Sequence, residues 1–383
     1  MSFADQAKDN LLNIIQEMSL HPEDFSRNPK KDFSRNRKLD FCTLLHLILS
    51  MQTGTLKDEL YKYFSYQTST ASTSAFLQQR SKLADNAFPY LFHSFNELYP
   101  YKLYKDKYHL LAVDGSFFTF TRNPLDPDSY FAPNNKTTNG YNQVHVIPVF
   151  DILSKRYTDC IVQPIRKKNE FRALSELIDR HVPVSGSVPI FIADRGFHSL
   201  NVFAHAIEHR AYFIIRATDV KMQRLLACDL PVGQDCFDIR IDRILTRTTS
   251  KKKWLHPELS EKYKTICRDV AFDYIDPEKS PEYSITLRVL RFQISDNNYE
   301  NIITNLPFEE FSADELKHLY HLRWSIETSF RELKHVIGAS NFHSKKREFI
   351  EMEIWARIIL YNFCSIITGH VVIKRKGSKH PLQ

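Results

Sequence analysis

The chain has 383 residues, which is long enough for two or three domains, and its content of 43% hydrophobic and 25% charged residues excludes general disorder. A formal net charge of +7 favours a polyanionic partner such as nucleic acid, although a mildly basic protein needs no such partner. None of the six cysteines has C-x-x-C or zinc-finger spacing, and the first ten residues do not form a signal peptide. We therefore expect a cytoplasmic protein with reduced thiols.

The N-terminal region, residues 1–95, is predicted to be an all-helical DNA-binding domain. A basic segment at 27–38 includes Arg35, Arg37 and Lys38, and such a run either follows a phosphate backbone or is a solvated linker. Helices near 55–64 and 72–83 follow. They resemble a helix-turn-helix, but two helices of any helical domain show the same pattern. In the first interpretation the second helix presents Gln78, Gln79 and Arg80 to base edges.

Strands begin near residue 108. The apolar run 110–113 predicts a strand that is covered on both faces, and it ends at Asp114. Two strands joined near residue 154 follow, then a helix, a second buried strand that ends at Asp194, another helix and a last strand. This order is that of an α/β fold with a ribonuclease-H-like mixed sheet flanked by helices. It places both aspartates at the carboxyl ends of strands, where open α/β sheets carry their chemistry.

The remainder of the chain divides into two parts. Residues 219–308 mix short strands with polar loops and predict an inserted β-rich domain, so that 96–218 and 309–383 form the first and second parts of the catalytic core. Residues 354–373 are nearly as apolar as a membrane span, but Arg357, Asn362 and His370 interrupt them. We expect a buried C-terminal helix and no membrane association.

One long helix is predicted over 313–337, because Ser312 can cap its start and Gly338 can end it. Tyr320, Arg323, Glu327 and Lys334 then fall within one arc of about 60°. Without further context this stripe is also typical of an exposed Arg–Glu pair on an amphipathic helix.

The pattern Tyr320-x2-Arg323-x3-Glu327-x6-Lys334 resembles the signature of the insertion-sequence-four family of DDE transposases. Asp114 in VDGSFF and Asp194 in ADRGF stand where that family carries its two catalytic aspartates. The resemblance implies that Asp114, Asp194 and Glu327 are catalytic residues and metal ligands. It also implies that Tyr320, Arg323 and Lys334 bind DNA phosphates, and that the long interval before Glu327 holds an insertion.

The chemistry implied by this resemblance is metal-dependent excision and reinsertion of an insertion sequence, with cut-and-paste transfer through a hairpin intermediate. Mg²⁺ is the expected cofactor, with Mn²⁺ as a substitute, because hard cations prefer carboxylate oxygens. The expected partners are double-stranded DNA, as terminal inverted repeats and as target, and a second copy of the chain on paired ends. The expected location is the bacterial nucleoid.

Two details and two alternatives remain open in the sequence. Trp254 and Trp324 are candidates to stack on a flipped base, although a residue such as Trp324 is more often a packed aromatic. A junction-resolving nuclease would share the carboxylates but would not need the Tyr-Arg-Glu-Lys pattern. An inactive copy that only binds DNA would keep the fold without the activity.

Overall fold

The fold is taken from a computed structural model, which describes residues 1–135, 137–184, 186–219, 225–226, 231, 236–247, 262–296 and 298–370. Trp254 and the end of the chain lie outside these ranges. In the described residues, strands pair into one mixed sheet. The strands are β1 (Tyr108–Val113), β2 (Ser116–Phe120), β3 (Tyr130–Phe131), β4 (Tyr141–Asp151), β5 (Arg156–Pro164), β6 (Val188–Ala193), β7 (Tyr212–Ala217), β8 (Phe237–Thr246), β9 (Tyr263–Thr265), β10 (Glu282–Ser295) and β11 (Asn298–Thr304).

The centre of the sheet confirms the predicted ribonuclease-H-like order. Strand β1 pairs in parallel with β6, which pairs in parallel with β7, while β4 runs antiparallel to both β1 and β5. The order across this part is therefore β5-β4-β1-β6-β7. The predicted hairpin is β4 and β5, and the predicted crossover helices are α6 (Glu170–Asp179) and α7 (Leu200–Glu208).

Each central strand is buried on both faces, as its apolar run predicted. Along β1, Leu110 and Ala112 pack into one core and Leu111 and Val113 into the other, because alternate side chains of a strand point to opposite faces. Helices α6 and α7 cover the second face. The first face lies against the helices from the two ends of the chain.

The N-terminal region is helical, as predicted, but it shares its core with the sheet. Leu44 from the N-terminal region, Ala112 from the sheet and Ile359 from the C-terminal helix are fully buried in the same apolar cluster. The division at residue 95 therefore does not separate two cores. The five N-terminal helices are α1 (Phe3–Leu20), α2 (Phe41–Ser50), α3 (Leu56–Tyr63), α4 (Thr73–Arg80) and α5 (Ala87–Glu97).

The insertion is rich in strands, as predicted, and its described strands continue the central sheet. Strand β11 pairs with β7, and β10, β8 and β9 follow in that order. Ile241 and Val289 of these strands belong to the same apolar cluster as Val113. The insertion is therefore joined to the catalytic core by backbone hydrogen bonds and by a shared core.

The predicted single helix over 313–337 is wrong, because two helices occupy this range: α8 (Ala313–Leu322) and α9 (Ser325–His335). Backbone hydrogen bonds of Arg323, Trp324 and Glu327 run to the third preceding residue, which forms a tighter turn than an α-helix. Ser312 caps the start as predicted, and Gly338 has a positive φ of +82° past the end.

The apolar C-terminal segment belongs to helix α10 (Arg347–His370), which packs in the core as predicted. Its buried polar groups have partners: Arg357 donates to the carbonyls of Met51 and Gln52, and Asn362 donates to the carbonyl of Tyr157. Among the described helices, none combines the length and apolar character that a membrane crossing requires.

Candidate active site

Two aspartates lie side by side at the ends of neighbouring strands. Val113 at the end of β1 is paired with Ala193 at the end of β6, so Asp114 and Asp194 are the next residues of adjacent parallel strands. Side chains two residues apart on a strand point to the same face of the sheet. Asp114 and Asp194 therefore point to the same face as Ala112 and Ile192, which is the face that α9 covers. The register of one strand pair thus brings together two carboxylates that are distant in sequence.

Glu327 reaches this edge of the sheet through a shared arginine. Arg323 donates from Nη1 to Oδ2 of Asp114 at 3.2 Å and from Nη2 to Oε1 of Glu327 at 2.8 Å. The Arg323 side chain is only 6% exposed. One guanidinium therefore joins the aspartate of β1 to the glutamate of α9.

The carboxylates also interact electrostatically. The pKa of Asp114 is raised to about 6, mainly by burial, while Arg323 opposes this increase and the negative charges of Asp194 and Glu327 add to it. These three carboxylates, which influence one another electrostatically, offer the oxygen ligands that suit a hard divalent cation. The structure joins Asp114 to Glu327 through Arg323 and places Asp194 at the end of the adjacent strand.

The other two signature residues lie beside the carboxylates. Lys334 donates to the hydroxyl of Ser116 at 2.8 Å, two residues after Asp114, and burial lowers the Lys334 pKa. Tyr320 is only 4% exposed and its ring lies 5.9 Å from the Arg323 guanidinium. The alternative of an exposed Arg–Glu pair is therefore wrong, because Arg323 is buried in the turn after α8.

A fourth carboxylate, which the sequence did not reveal, borders the site. A side-chain carbon on Gly115 would lie 3.3 Å from Oε1 of Glu170, and one on Gly196 would lie 3.6 Å from Oε2 of the same residue. Glu170 is the first residue of α6, and His145 from β4 lies 3.3 Å from its Oε1. Hydrogen bonding to His145 is the main reason why the Glu170 pKa is lowered. Acidic residues are common at the start of helices, so the sequence does not indicate that Glu170 lies beside the two strand-end aspartates.

Trp324 lies in the turn between α8 and α9 and is 54% exposed. Its ring lies 5.7 Å from the Arg323 guanidinium. The alternative that Trp324 is a packed core aromatic is therefore wrong. Its exposed indole ring offers a large flat surface beside Arg323, which contacts the carboxylates. Trp254, the other aromatic candidate, lies outside the described residues.

The N-terminal candidates separate into buried and exposed residues. Arg80 is fully buried and pairs with Glu353 at 2.8 Å, so the expectation that it contacts bases is wrong. Gln79 is also buried and accepts a hydrogen bond from Lys82. Gln78 is exposed on the other side of α4.

The residues of the basic segment at 27–38 agree only in part with the prediction that it follows a phosphate backbone. Arg35 and Arg37 are exposed, as a segment that follows a phosphate backbone requires, but a solvated linker would also expose them. Lys38 donates to the hydroxyl of Ser69 at 3.0 Å and lies 4.5 Å from the ring of Phe64. The Lys38 ammonium therefore has partners within the helical region itself, in contrast to exposed Arg35 and Arg37.

Gln78 lines a groove of about 850 Å³ between α4 and the segment before α10. Ser74, Lys345 and Lys346 also line the groove. Thr121, the first residue after β2, forms part of its wall. Strand β2 therefore links this wall of the groove to Ser116, which Lys334 contacts.

The family described as "Transposase DDE domain" matches residues 105–363, which is more than half of the chain and includes every residue of the site. The chain belongs to the transposase DDE domain family. The signature positions and both strand-end aspartates lie within this match, while the helical region before residue 105 lies outside it.

Individual relatives show the same relationship at lower coverage. The transposase InsG for insertion sequence element IS4 of Escherichia coli strain K12 is 24% identical over 262 residues, which are 66% of this chain. This chain spans about half, 50%, of the length of that protein. The transposase for insertion sequence element IS421 of Escherichia coli is 33% identical over 58 residues, covering 15% of this chain and 16% of that one. A synaptic complex of piggyBac transposase with hairpin DNA superposes with a TM-score of 0.44 at 10% identity, over 87% of this chain and 66% of that one.

Proposed function

We propose that the protein is a DNA transposase in which Asp114, Asp194 and Glu327 are the catalytic residues. One observation carries this proposal: Arg323 holds Asp114 and Glu327 together at the edge of the sheet where Asp194 also emerges. A merely exposed Arg–Glu pair would not reach a carboxylate on β1. Membership of the transposase DDE domain family supports the same conclusion.

The three carboxylates fit a divalent cation, and we propose Mg²⁺ with Mn²⁺ as a substitute. Such ions, when bound, activate the attacking oxygen and stabilise the leaving oxygen of a phosphodiester. The chain provides hard oxygen ligands on two strands and one helix. Of the described cysteines, Cys160 is buried in the apolar core. Glu170, beside Gly115 and Gly196, is placed to position this ligand set.

The cationic residues of the site are placed to hold DNA. Arg323 and Lys334 cannot ligate a cation, but they can hold phosphate oxygens, the first with a planar fork and the second as a point charge. Tyr320 can add a neutral hydrogen bond, and exposed Trp324 can stack on a displaced base. We propose that duplex DNA continues from here into the groove that Gln78, Lys345 and Lys346 line.

The finer aspects of the reaction follow the expectation from the sequence. We propose cut-and-paste transfer through a hairpin, with terminal inverted repeats and target DNA as substrates and a homodimer as the active assembly. We also retain residues 1–95 as the region that recognises the ends, with Arg35, Arg37 and exposed Gln78 as candidate contacts. A junction-resolving nuclease remains the main alternative, because it would use the same carboxylates.

An excision assay with the terminal repeats of the element separates these functions. The purified protein should release the element from a supercoiled plasmid only with Mg²⁺ or Mn²⁺, and denaturing gels should show a hairpin on one product. A branched four-way junction without repeats is the matched control substrate. Efficient cleavage of the junction with no cleavage at the repeats would contradict the proposal.

A further inference from the structure

A second candidate metal site lies at the far end of the helices that cover the sheet. In the described residues, Asp179, His205 and His209 offer one ligand atom each within 4.8 Å of one another. Asp179 ends α6, which Glu170 begins, so about 13 Å of helix separates this cluster from the catalytic edge. The cluster therefore does not belong to the carboxylate site described above.

The two histidines share one face of α7. They are four residues apart, and their rings are nearly parallel, with an interplanar angle of 10°. Oδ1 of Asp179 lies 2.6 Å from Nδ1 of His205 and 3.4 Å from Nδ1 of His209. The His209 Nδ1 also lies 3.0 Å from the backbone carbonyl of His205, a hydrogen bond that it gives up when it binds an ion. Tetrahedral coordination at usual zinc distances places ligand atoms about 3.3 Å apart, so a small opening of the first pair accommodates an ion.

The surroundings of His205 are those of a metal ligand. Its side chain is only 9% exposed, and both ring nitrogens face carboxylates: Nδ1 faces Asp179 and Nε2 faces Asp273 at 2.9 Å. A neutral imidazole has one N–H and cannot donate to both. A second ring proton satisfies both carboxylates, and so does a cation on Nδ1: with a cation bound, Nε2–H donates to Asp273 as ligating histidines usually donate to a carboxylate.

Asp273 is itself held in this position. Its Oδ2 accepts from Nδ2 of Asn201 at 2.8 Å, and its backbone N–H donates to Oδ1 of the same residue at 2.9 Å. Asn201 is one turn before His205 on α7. The hydroxyl of Tyr274 lies 3.1 Å from Nδ1 of His205 and adds an oxygen beside the proposed ion. Asp273 and Tyr274 belong to the insertion, whereas the histidines belong to the core.

We propose that Asp179, His205 and His209 bind a structural transition-metal dication of the zinc type, which fastens the 273–274 segment of the insertion to α6 and α7. Two imidazoles and one carboxylate favour Zn²⁺ or Co²⁺ over the Mg²⁺ that suits an all-carboxylate site. The site is independent of the proposed DNA chemistry.

The test measures zinc and cobalt directly in the full-length protein. A parent that carries Asp114→Asn and Asp194→Asn removes binding at the catalytic carboxylates. Metal-stripped protein is titrated with Co²⁺, followed by visible absorption, and with Zn²⁺, followed by elemental analysis after dialysis. We expect one ion per chain, a tetrahedral Co²⁺ spectrum and a higher melting temperature with Zn²⁺.

Variants identify the ligands. His209→Ala and Asp179→Asn change half-exposed residues and should lower Zn²⁺ affinity by at least roughly a hundredfold, while Asp273→Asn should lower it by about 10- to 100-fold. Glu176→Gln, an exposed change on the same helix as Asp179, is the matched control and should bind like the parent. Equal affinity in His209→Ala and the parent, or no bound zinc in the parent, would overturn the proposal.

Discussion

The guanidinium of Arg323 lies 3.2 Å from the carboxylate of Asp114, although 209 positions separate them in the chain. The same guanidinium pairs with Glu327. In the protein without metal, Arg323 therefore compensates the charge that a dication would otherwise compensate. In the proposed function, binding of metal and DNA would require this side chain to exchange carboxylate oxygens for phosphate oxygens.

The first prediction concerns the three carboxylates. Asp114→Asn, Asp194→Asn and Glu327→Gln should each lower plasmid cleavage by at least roughly 10³-fold, because each removes a ligand charge and keeps the side-chain shape. Binding to the terminal repeat, measured by gel shift with Ca²⁺, should stay nearly unchanged. Cleavage within about tenfold of the parent would remove that residue from the metal site.

The second prediction concerns Arg323. Arg323→Ala should bind Mn²⁺ more tightly in the absence of DNA, because no guanidinium competes for Asp114 and Glu327. The variant should bind cleaved ends more weakly, with a salt dependence about one unit shallower for the lost phosphate contact. Lys334→Ala should change only the second property. Arg331→Ala, an exposed position on α9, is the control, and identical behaviour of the two arginine variants would contradict the prediction.

The third prediction separates Arg80 from Gln78 on the same helix. Arg80→Met should destabilise the fold by about 3–5 kcal/mol, since it leaves Glu353 buried with His343 as its remaining ionic partner. Adding Glu353→Leu should recover much of this loss in chemical denaturation. Gln78→Ala should change stability by less than about 0.5 kcal/mol and weaken DNA binding. Reduced DNA affinity in a stably folded Arg80→Met variant would restore a direct role for Arg80.

The fourth prediction concerns Glu170. Glu170→Gln should lower Mn²⁺ affinity by about 10- to 100-fold, because this carboxylate stands beside Gly115 and Gly196, which lie within two residues of the proposed ligands Asp114 and Asp194. Calorimetric titration of the DNA-free protein measures the change. Glu176→Gln, exposed on the same helix, is the control. If the Mn²⁺ affinity of Glu170→Gln is unchanged, Glu170 has no role in metal binding and only pairs with His145.

The fifth prediction concerns pH. Burial, with a smaller effect of nearby His109, lowers the pKa of His181 from 6.5 to about 4. Because the folded pKa is below the unfolded value, His181 leaves the fold unperturbed above pH 6.5 and destabilises it as the pH falls from 6.5 to about 4. The loss is at most about 1.4 kcal/mol per pH unit. His181→Gln should show a smaller decrease in melting temperature between pH 7 and pH 5 than the parent.

The sequence predicted those parts of the fold that depend on local patterns. Apolar runs located β1 and β6 within a residue or two, and their ends identified Asp114 and Asp194. The signature spacing identified Glu327. Helical periodicity, however, could not reveal that hydrogen bonds tighten at Arg323 and divide the helix, since no proline or glycine marks that turn.

Burial that depends on partners elsewhere in the chain was not predictable. Arg80 follows two glutamines in a polar helix, and only the packing of α10 places Glu353 opposite it. Glu170 and His145 meet because α6 crosses the edge of the sheet. The same limit applies to the insertion, whose strands gave no signal that they would pair with β7.

The core that α1–α5 share with the sheet and with α10 restricts how this protein can be re-engineered. A DNA-recognition domain that has its own hydrophobic core could be replaced by another domain without disturbing the rest of the protein. Cutting at residue 95 would instead expose to water the apolar face of the sheet and the apolar residues of α9, the helix that carries Glu327, because both belong to this core. If residues 1–95 recognise the DNA ends as proposed, retargeting is better attempted by changing side chains on exposed helix surfaces than by replacing the whole region.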